Sequence, residues 1–173
     1  MHGASPPVTT QARKELLARR FDRSASTYDS VTPVQSTMGH HLIQQLRNRL
    51  DGRAVKHILE LGCGTGRLTR SLINNFPKAR IVALDIYDAM VMQAAHNLKS
   101  DRLQLFVADA EDVVAEGDGI YDVIISNAVV QWFEDPETTL TTCRQRLKPG
   151  GCLAFSTFGP ETFRELRQAF DTA

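Results

Sequence analysis

Three observations predict a doubly wound α/β domain built on a mostly parallel sheet. From residue 57 onward, short apolar runs alternate with segments of helical periodicity. The apolar runs are continuous rather than alternating, the pattern of strands covered by helices on both faces. Between the first run and the first of these helices lies "ILELGCGTGRLT", residues 58–69, which places Gly62, Gly64 and Gly66 in five positions. In an open α/β sheet such a turn after the first strand lies where a ligand meets the carboxyl ends of the strands.

Residues 1–10 contain Pro6-Pro7 and read as a flexible leader. Residues 11–27 set Leu16, Leu17, Arg20, Phe21 and Ser24 on one side of a short amphipathic helix with a basic flank. After Pro33 a second helical pattern runs through Met38, Leu42, Ile43, Leu46 and Leu50, and Asp51-Gly52 ends it as a turn. Residues 11–52 therefore form an N-terminal helical segment, and 53–173 the α/β domain. In that domain "HILEL" is a strand, "GRLTRSLINNF" a helix, "RIVALDI" a strand, and "DAMVMQAAHNL" a helix with Asp88 as its N-cap. "LQLFVADA" and "YDVIISN" are strands, and "PETTLTTCRQRL" is a helix with Pro136 in its first turn. "KPGG" is a turn leading to the strand "CLAFSTF", and "GPETFRELRQAFDTA" is a closing helix. The expected sheet stops at its fifth strand.

The 173 residues suit one domain, and 42% apolar with 23% charged residues is ordinary for a globular protein. Twenty basic and twenty acidic side chains cancel, so no nucleic-acid partner is expected through net charge. The apolar runs are far shorter than a membrane span, and the first residues lack the apolar core of a secretory signal, so the expected location is cytoplasmic with no membrane partner. Cys63, Cys143 and Cys152 form no C-x-x-C pair, so neither disulfides nor a metal site is expected.

The glycines read G-x-G-x-G, one residue short of the dinucleotide fingerprint G-x-G-x-x-G. Asp85 ends the second strand about twenty residues later, where a carboxylate accepts hydrogen bonds from ribose hydroxyls. Its alternative is a helix cap or a solvent-facing strand end. Glu60 precedes the turn and would repel a pyrophosphate but attract an amine or a sulfonium. A cationic adenosine ligand is therefore favoured over NAD, and a tight turn with no ligand is the bland alternative.

Five stretches, "LELGCGTGRLT", "ALDIYDAMV", "VADAED", "YDVIISNAVVQW" and "LKPGGCLAFSTF", together resemble the motif series of class I S-adenosylmethionine-dependent methyltransferases, in the expected order over residues 57–158. The resemblance implies a Rossmann-like sheet, S-adenosyl-L-methionine as cofactor and S-adenosyl-L-homocysteine as product. It implies that Gly62, Cys63, Gly64 and Gly66 line the methionine portion, with Glu60 close by, and that Asp85 holds the ribose. Ile86 and Met90 would enclose the adenine, Asp109 and Ala110 would meet its amino edge, and Asn127 would lie under the methionyl group.

"RRFDRSASTYDSVTPVQ", "SNAVVQWFEDP" and "LAFSTFGPETFRELRQAF" are similar to malonyl-acyl-carrier-protein O-methyltransferases of biotin synthesis. That implies esterification of the free carboxylate of a malonyl thioester carried by acyl-carrier protein or coenzyme A. The middle segment is also similar to trans-aconitate methyltransferases, so that substrate class stays open. By resemblance the N-terminal helices are a lid, Tyr28 closes over the cofactor, and Gln131 and Trp132 face the substrate. The alternatives are an anchoring tyrosine and a tryptophan in the core. A carboxylate with a pKa near ~4 is ionised at neutral pH and needs no general base. That agrees with the histidines, since His57 lies at the far end of its strand and His96 within a helix, and only His40 and His41 lie on a segment that approaches the site.

Arg164 and Arg167 on the last helix are candidate partners for a substrate carboxylate, with solvent exposure as the alternative. Arg13, Lys14, Arg19, Arg20 and Arg23 form a basic face suited to an acidic carrier protein, or simply a solvated one. Relatives of this class normally add two strands beyond the fifth. Without them "CLAFSTF" becomes an apolar sheet edge, and a homodimer through that edge is expected. A shortened, non-catalytic cofactor-binding module is the second functional reading.

Overall fold

A computed structural model describes residues 32–159 together with 161, 162 and 164. The first amphipathic helix, the basic face on it, Tyr28 and Arg167 lie outside the described residues. Helix α1 (Pro33–Leu50) is followed by β1 (His57–Leu61), α2 (Arg67–Asn75), β2 (Arg80–Asp85), α3 (Asp88–Asn97) and β3 (Leu103–Val107). Then come α4 (Ala110–Glu116), β4 (Tyr121–Asn127), a short 3-10 turn (Val130–Trp132), α5 (Pro136–Gln145) and β5 (Leu147–Ser156). The five strands lie in the order β3-β2-β1-β4-β5 and every pair is parallel. Strand order reverses between β1 and β4, so the crevice beyond their carboxyl ends is where such a sheet receives a ligand.

The period-two alternation of β1 divides the core. Ile58 packs with Ile43, Leu46 and Leu50 of α1 and Leu72 of α2 on one face. Leu59 and Leu61 pack with Ala110 and Val114 of α4 and Cys143 of α5 on the other. The described part of the N-terminal segment is thus a layer of the main core rather than a detached cover.

Three local expectations change. Asp88 is the first residue of α3; Tyr87 occupies the cap position without a side-chain bond, and its own N–H donates to the Asp85 carboxylate (3.0 Å). The structure adds α4, which the sequence reading missed. Asp109 caps it by accepting the Glu111 N–H at 2.9 Å. The "KPGG" turn is absorbed into β5, where Gly150 takes φ +76 and the register against β4 slips between Tyr121 and Val123.

Burial on both faces holds for β1, β2 and β4 but not for the outer strands. Phe106 and Val107 of β3 and Phe155 of β5 are exposed, because each of these strands has a neighbour on one side only. Among the described residues, no helix is long and apolar enough to cross a membrane.

At the end where the strands begin, Asp122 of β4 accepts the backbone N–H groups of Lys56 (2.9 Å) and His57 (2.8 Å). Its two oxygens also take the Lys148 ammonium at 3.0 Å. His57 Nδ1 lies 3.1 Å from that ammonium, so this histidine belongs to the structural end of the sheet, as its position in the sequence predicted.

Candidate functional site

The carboxyl ends of β1, β2 and β4 open into a cavity of about 470 Å³. Gly62, Gly64 and Gly66 all line it with positive φ, but for different reasons. A Cβ on Gly62 would strike the Val129 side chain, and one on Gly66 would lie 2.7 Å from Leu98 Cδ1. A Cβ on Gly64, at φ +52, would meet nothing within 4 Å. Two glycines therefore let the chain pack on itself. Gly64 alone leaves open space, the form of a cradle for a ligand.

Asp85 is 8% exposed at the end of β2 and lies on the cavity wall. Its Oδ2 accepts the Gly64 N–H at 2.8 Å and its Oδ1 the Tyr87 N–H at 3.0 Å. Burial raises its pKa, and these backbone bonds pull it back down. The carboxylate thus clamps the turn while its remaining lone pairs can still accept from ribose hydroxyls.

Glu60 does not reach the wall. It is fully buried on β1, and neither carboxyl oxygen has a hydrogen-bond partner, nor does the Thr69 hydroxyl. Burial pushes its pKa up to about 8; the nearby Thr69 hydroxyl offsets part of that shift and the Asp85 charge adds to it. Cys63 lines the cavity, and burial together with the Glu60 and Asp85 charges raises its thiol well above the ordinary range. With its pKa at about 8, the Glu60 carboxyl is mostly protonated at neutral pH in the unliganded fold.

Ile86 and Met90 lie on the same wall, as do Asp109 and Ala110, so the residues expected around an adenine are brought together. Asn127 reaches it as well, braced on both sides. Its Nδ2 donates to the Gln35 carbonyl of α1 (3.1 Å), and its Oδ1 accepts the Ser156 hydroxyl of β5 (2.7 Å). The next residue, Ala128, has φ +57, a conformation that a non-glycine residue adopts at a cost. Its N–H donates to the Ser156 carbonyl at 3.0 Å, which holds the strained bend in place.

Trp132 is 45% exposed on the cavity wall and is not a core anchor. Gln131 corrects the expectation that it faces a substrate. Its Nε2 donates to the Ala128 carbonyl (2.6 Å) and its Oε1 accepts the Thr157 hydroxyl (3.1 Å), so the amide braces the loop instead of lining the cavity. Arg164 turns to Glu161 at 3.4 Å and is likewise absent from the wall. His40 does line the cavity, with Nδ1–H donating to the Ser36 carbonyl at 2.9 Å, which leaves Nε2 as the acceptor nitrogen when the ring is neutral.

Sequence reasoning passed over Gly39, Arg70 and Asn97 on the wall. The signal for Gly39 was a lone glycine inside a helical pattern; it lies beside Asn127, where a Cβ would make ordinary contact at 3.5 Å from Nδ2. Arg70 and Asn97 carry no comparable mark in the chain.

Residues 59–155 match the family described as a methyltransferase domain. The chain is 44% identical over 160 residues to a malonyl-[acyl-carrier protein] O-methyltransferase of Priestia megaterium, covering 92% of this chain and 57% of that protein. It is 43% identical over 165 residues to the protein of the same name from Halalkalibacterium halodurans, with 92% and 61% covered. The chain therefore spans less than two thirds of these relatives.

Among solved structures, N-methyltransferase NodS from Bradyrhizobium japonicum, in complex with S-adenosyl-L-homocysteine, superposes with a TM-score of 0.70 at 22% identity, over 87% of this chain and 77% of that one. The plantazolicin methyltransferase BpumL in complex with SAH gives 0.69 at 19% identity, over 90% and 65%. At these identities the likeness is one of fold.

Proposed function

The chain belongs to the methyltransferase-domain family that its residues 59–155 match, and from that premise we propose that it binds S-adenosyl-L-methionine and methylates the free carboxylate of a malonyl thioester, on acyl-carrier protein or coenzyme A. The observation that carries the cofactor reading is the pairing of Gly64, whose α-carbon has open space beside the cavity, with Glu60, a buried carboxyl with no hydrogen-bond partner among the described residues. A pyrophosphate on that turn would face Glu60 and Asp85 at once, whereas a cationic ligand favours their ionised forms. The relatives named malonyl-[acyl-carrier protein] O-methyltransferase support the substrate class.

When bound, the cofactor supplies an electrophilic methyl group on a cationic sulfur. Asp85 orients the ribose while holding Gly64 in place, and Ile86 with Met90 offers the apolar surface an adenine requires. A bound cation would favour the ionised form of the buried Glu60 carboxyl, which would then add a negative field near the turn. Trp132 and Phe133 add apolar surface to the cavity wall, which helps exclude water from two charged reactants. The substrate carboxylate is already ionised at neutral pH, so the residues needed are those that align it. The outer edge of β5, unpaired among the described residues, is a candidate route to a homodimer, which sedimentation analysis tests directly.

Titration with S-adenosyl-L-homocysteine and with NADH, followed by methyl transfer to malonyl and trans-aconitate acceptors, tests this reading. Binding of the homocysteine product and turnover on the malonyl thioester are expected. Selective NADH binding overturns the cofactor assignment, preference for trans-aconitate overturns the substrate, and binding without turnover leaves a cofactor-binding module.

A further inference from the structure

Charged side chains of both signs line the cavity. Asp85 comes from the end of β2, Asp109 and Glu111 from the start of α4, and Arg67 and Arg70, one turn apart, from α2. The acidic groups are committed: Asp85 and Asp109 accept backbone N–H groups, and Glu111 accepts the N–H groups of Glu134 and Asp135 and the Thr139 hydroxyl.

Arg70 is held but not neutralised. Its guanidinium donates one bond, from Nη2 to the Asn97 carbonyl at 2.9 Å, and it pairs with no carboxylate among the described residues. Asn97 is itself fixed, with Nδ2 donating to the Thr65 carbonyl of the glycine turn (3.0 Å) and Oδ1 accepting from Gln93 (3.1 Å). A planar cation is thereby braced against the ligand-binding turn, with most of its five N–H donors left over. Such supported, uncommitted donors on a cavity wall suit a bidentate anion.

We propose that Arg70 is a carboxylate-binding residue of this cavity. The inference rests on the cofactor reading above and extends it. The carboxylate belongs either to the amino-acid end of the cofactor or to the acyl substrate. The competing role is purely structural, since an arginine that donates to a carbonyl at the end of α3 also caps that helix.

Arg70→Gln removes the charge and leaves only a shorter amide, and Arg70→Lys keeps the charge and a longer donor toward the Asn97 carbonyl. Calorimetric titration of the whole chain uses three probes: S-adenosyl-L-homocysteine; 5′-methylthioadenosine, which lacks the amino-acid end; and malonyl-N-acetylcysteamine added with the homocysteine product present. If Arg70→Gln weakens S-adenosyl-L-homocysteine about tenfold and leaves methylthioadenosine unchanged, with partial recovery in Arg70→Lys, the carboxylate is the cofactor's. If only the malonyl thioester weakens by a similar factor, the carboxylate is the substrate's. Unchanged affinities, or equal weakening of all three probes, overturn the proposal in favour of the capping role. Failure of the unaltered chain to bind either adenosine ligand overturns the cofactor reading, and this proposal falls with it.

Discussion

The two ends of the central sheet each hold a carboxylate, and they are treated in opposite ways. Where the strands begin, Asp122 accepts two backbone N–H groups and the Lys148 ammonium, bonds that together hold its pKa below the usual carboxylate range despite some burial. Where β1 finishes, Glu60 is enclosed without a single hydrogen bond, and its pKa is pushed up to about 8. Asp122 satisfies its own electrostatics and so favours folding. Glu60 leaves a debt that a bound cation would settle, which is how a binding site differs from a structural one.

The largest effect should come from removing the debt. Between its ordinary value of 4.5 and about 8, Glu60 carries a proton in the folded state that it lacks when unfolded. Stability therefore falls as pH rises through that window and levels off above it. At roughly 1.4 kcal/mol per unit, the loss is on the order of 5 kcal/mol. Glu60→Gln should flatten this part of the profile in urea titrations across pH and raise stability at neutral pH. An unchanged slope would show that the carboxyl is not buried as described.

Next in size is Gly62→Ala, which adds a Cβ against Val129 at φ +75. Strain and overpacking together should cost about 3 kcal/mol in denaturant melts. Asp122→Ala, at the satisfied end, should cost about 2 kcal/mol, because two backbone donors and a lysine lose their acceptor. Asp122 responds to pH with the opposite sign from Glu60: its contribution is present above its unfolded pKa and lost as pH falls through the lowered folded value.

Gly64→Ala should cost only about 1 kcal/mol, the penalty of its left-handed backbone, since its Cβ meets no protein atom. It should nonetheless abolish S-adenosyl-L-homocysteine binding, so stability and affinity part company at this one position. Thr69→Val should change stability least, by less than about 1 kcal/mol, because it removes a buried hydroxyl whose neighbouring acceptor is the Glu60 carboxyl. It should also raise the Glu60 pKa further, seen as a shift of the pH profile.

Much of this contrast was legible in the chain. The apolar runs of β1, β2 and β4 announced buried parallel strands, and the glycine spacing with Asp85 located the crevice. Helix α4 escaped because a seven-residue helix that buries Ala110 and Val114 offers too few positions for a 3.6-residue period to emerge. Gln131 and Trp132 are adjacent in sequence, yet one braces a loop and the other lines the cavity. Their 3-10 turn sends consecutive side chains in different directions. Arg70 and Asn97 stand 27 positions apart and meet only because the fold brings Arg70 of α2 to the last residue of α3.

By itself the sequence determined the α/β architecture, the position of the ligand crevice and the family, because hydrophobic period and glycine placement are local properties of the chain. Tertiary structure decided which glycine of the turn has open space at its α-carbon, that the Glu60 carboxyl is buried off the cavity wall, and that Arg70 reaches that wall from α2. Those outcomes depend on which atoms of distant segments fill the neighbouring space and satisfy, or fail to satisfy, each polar group.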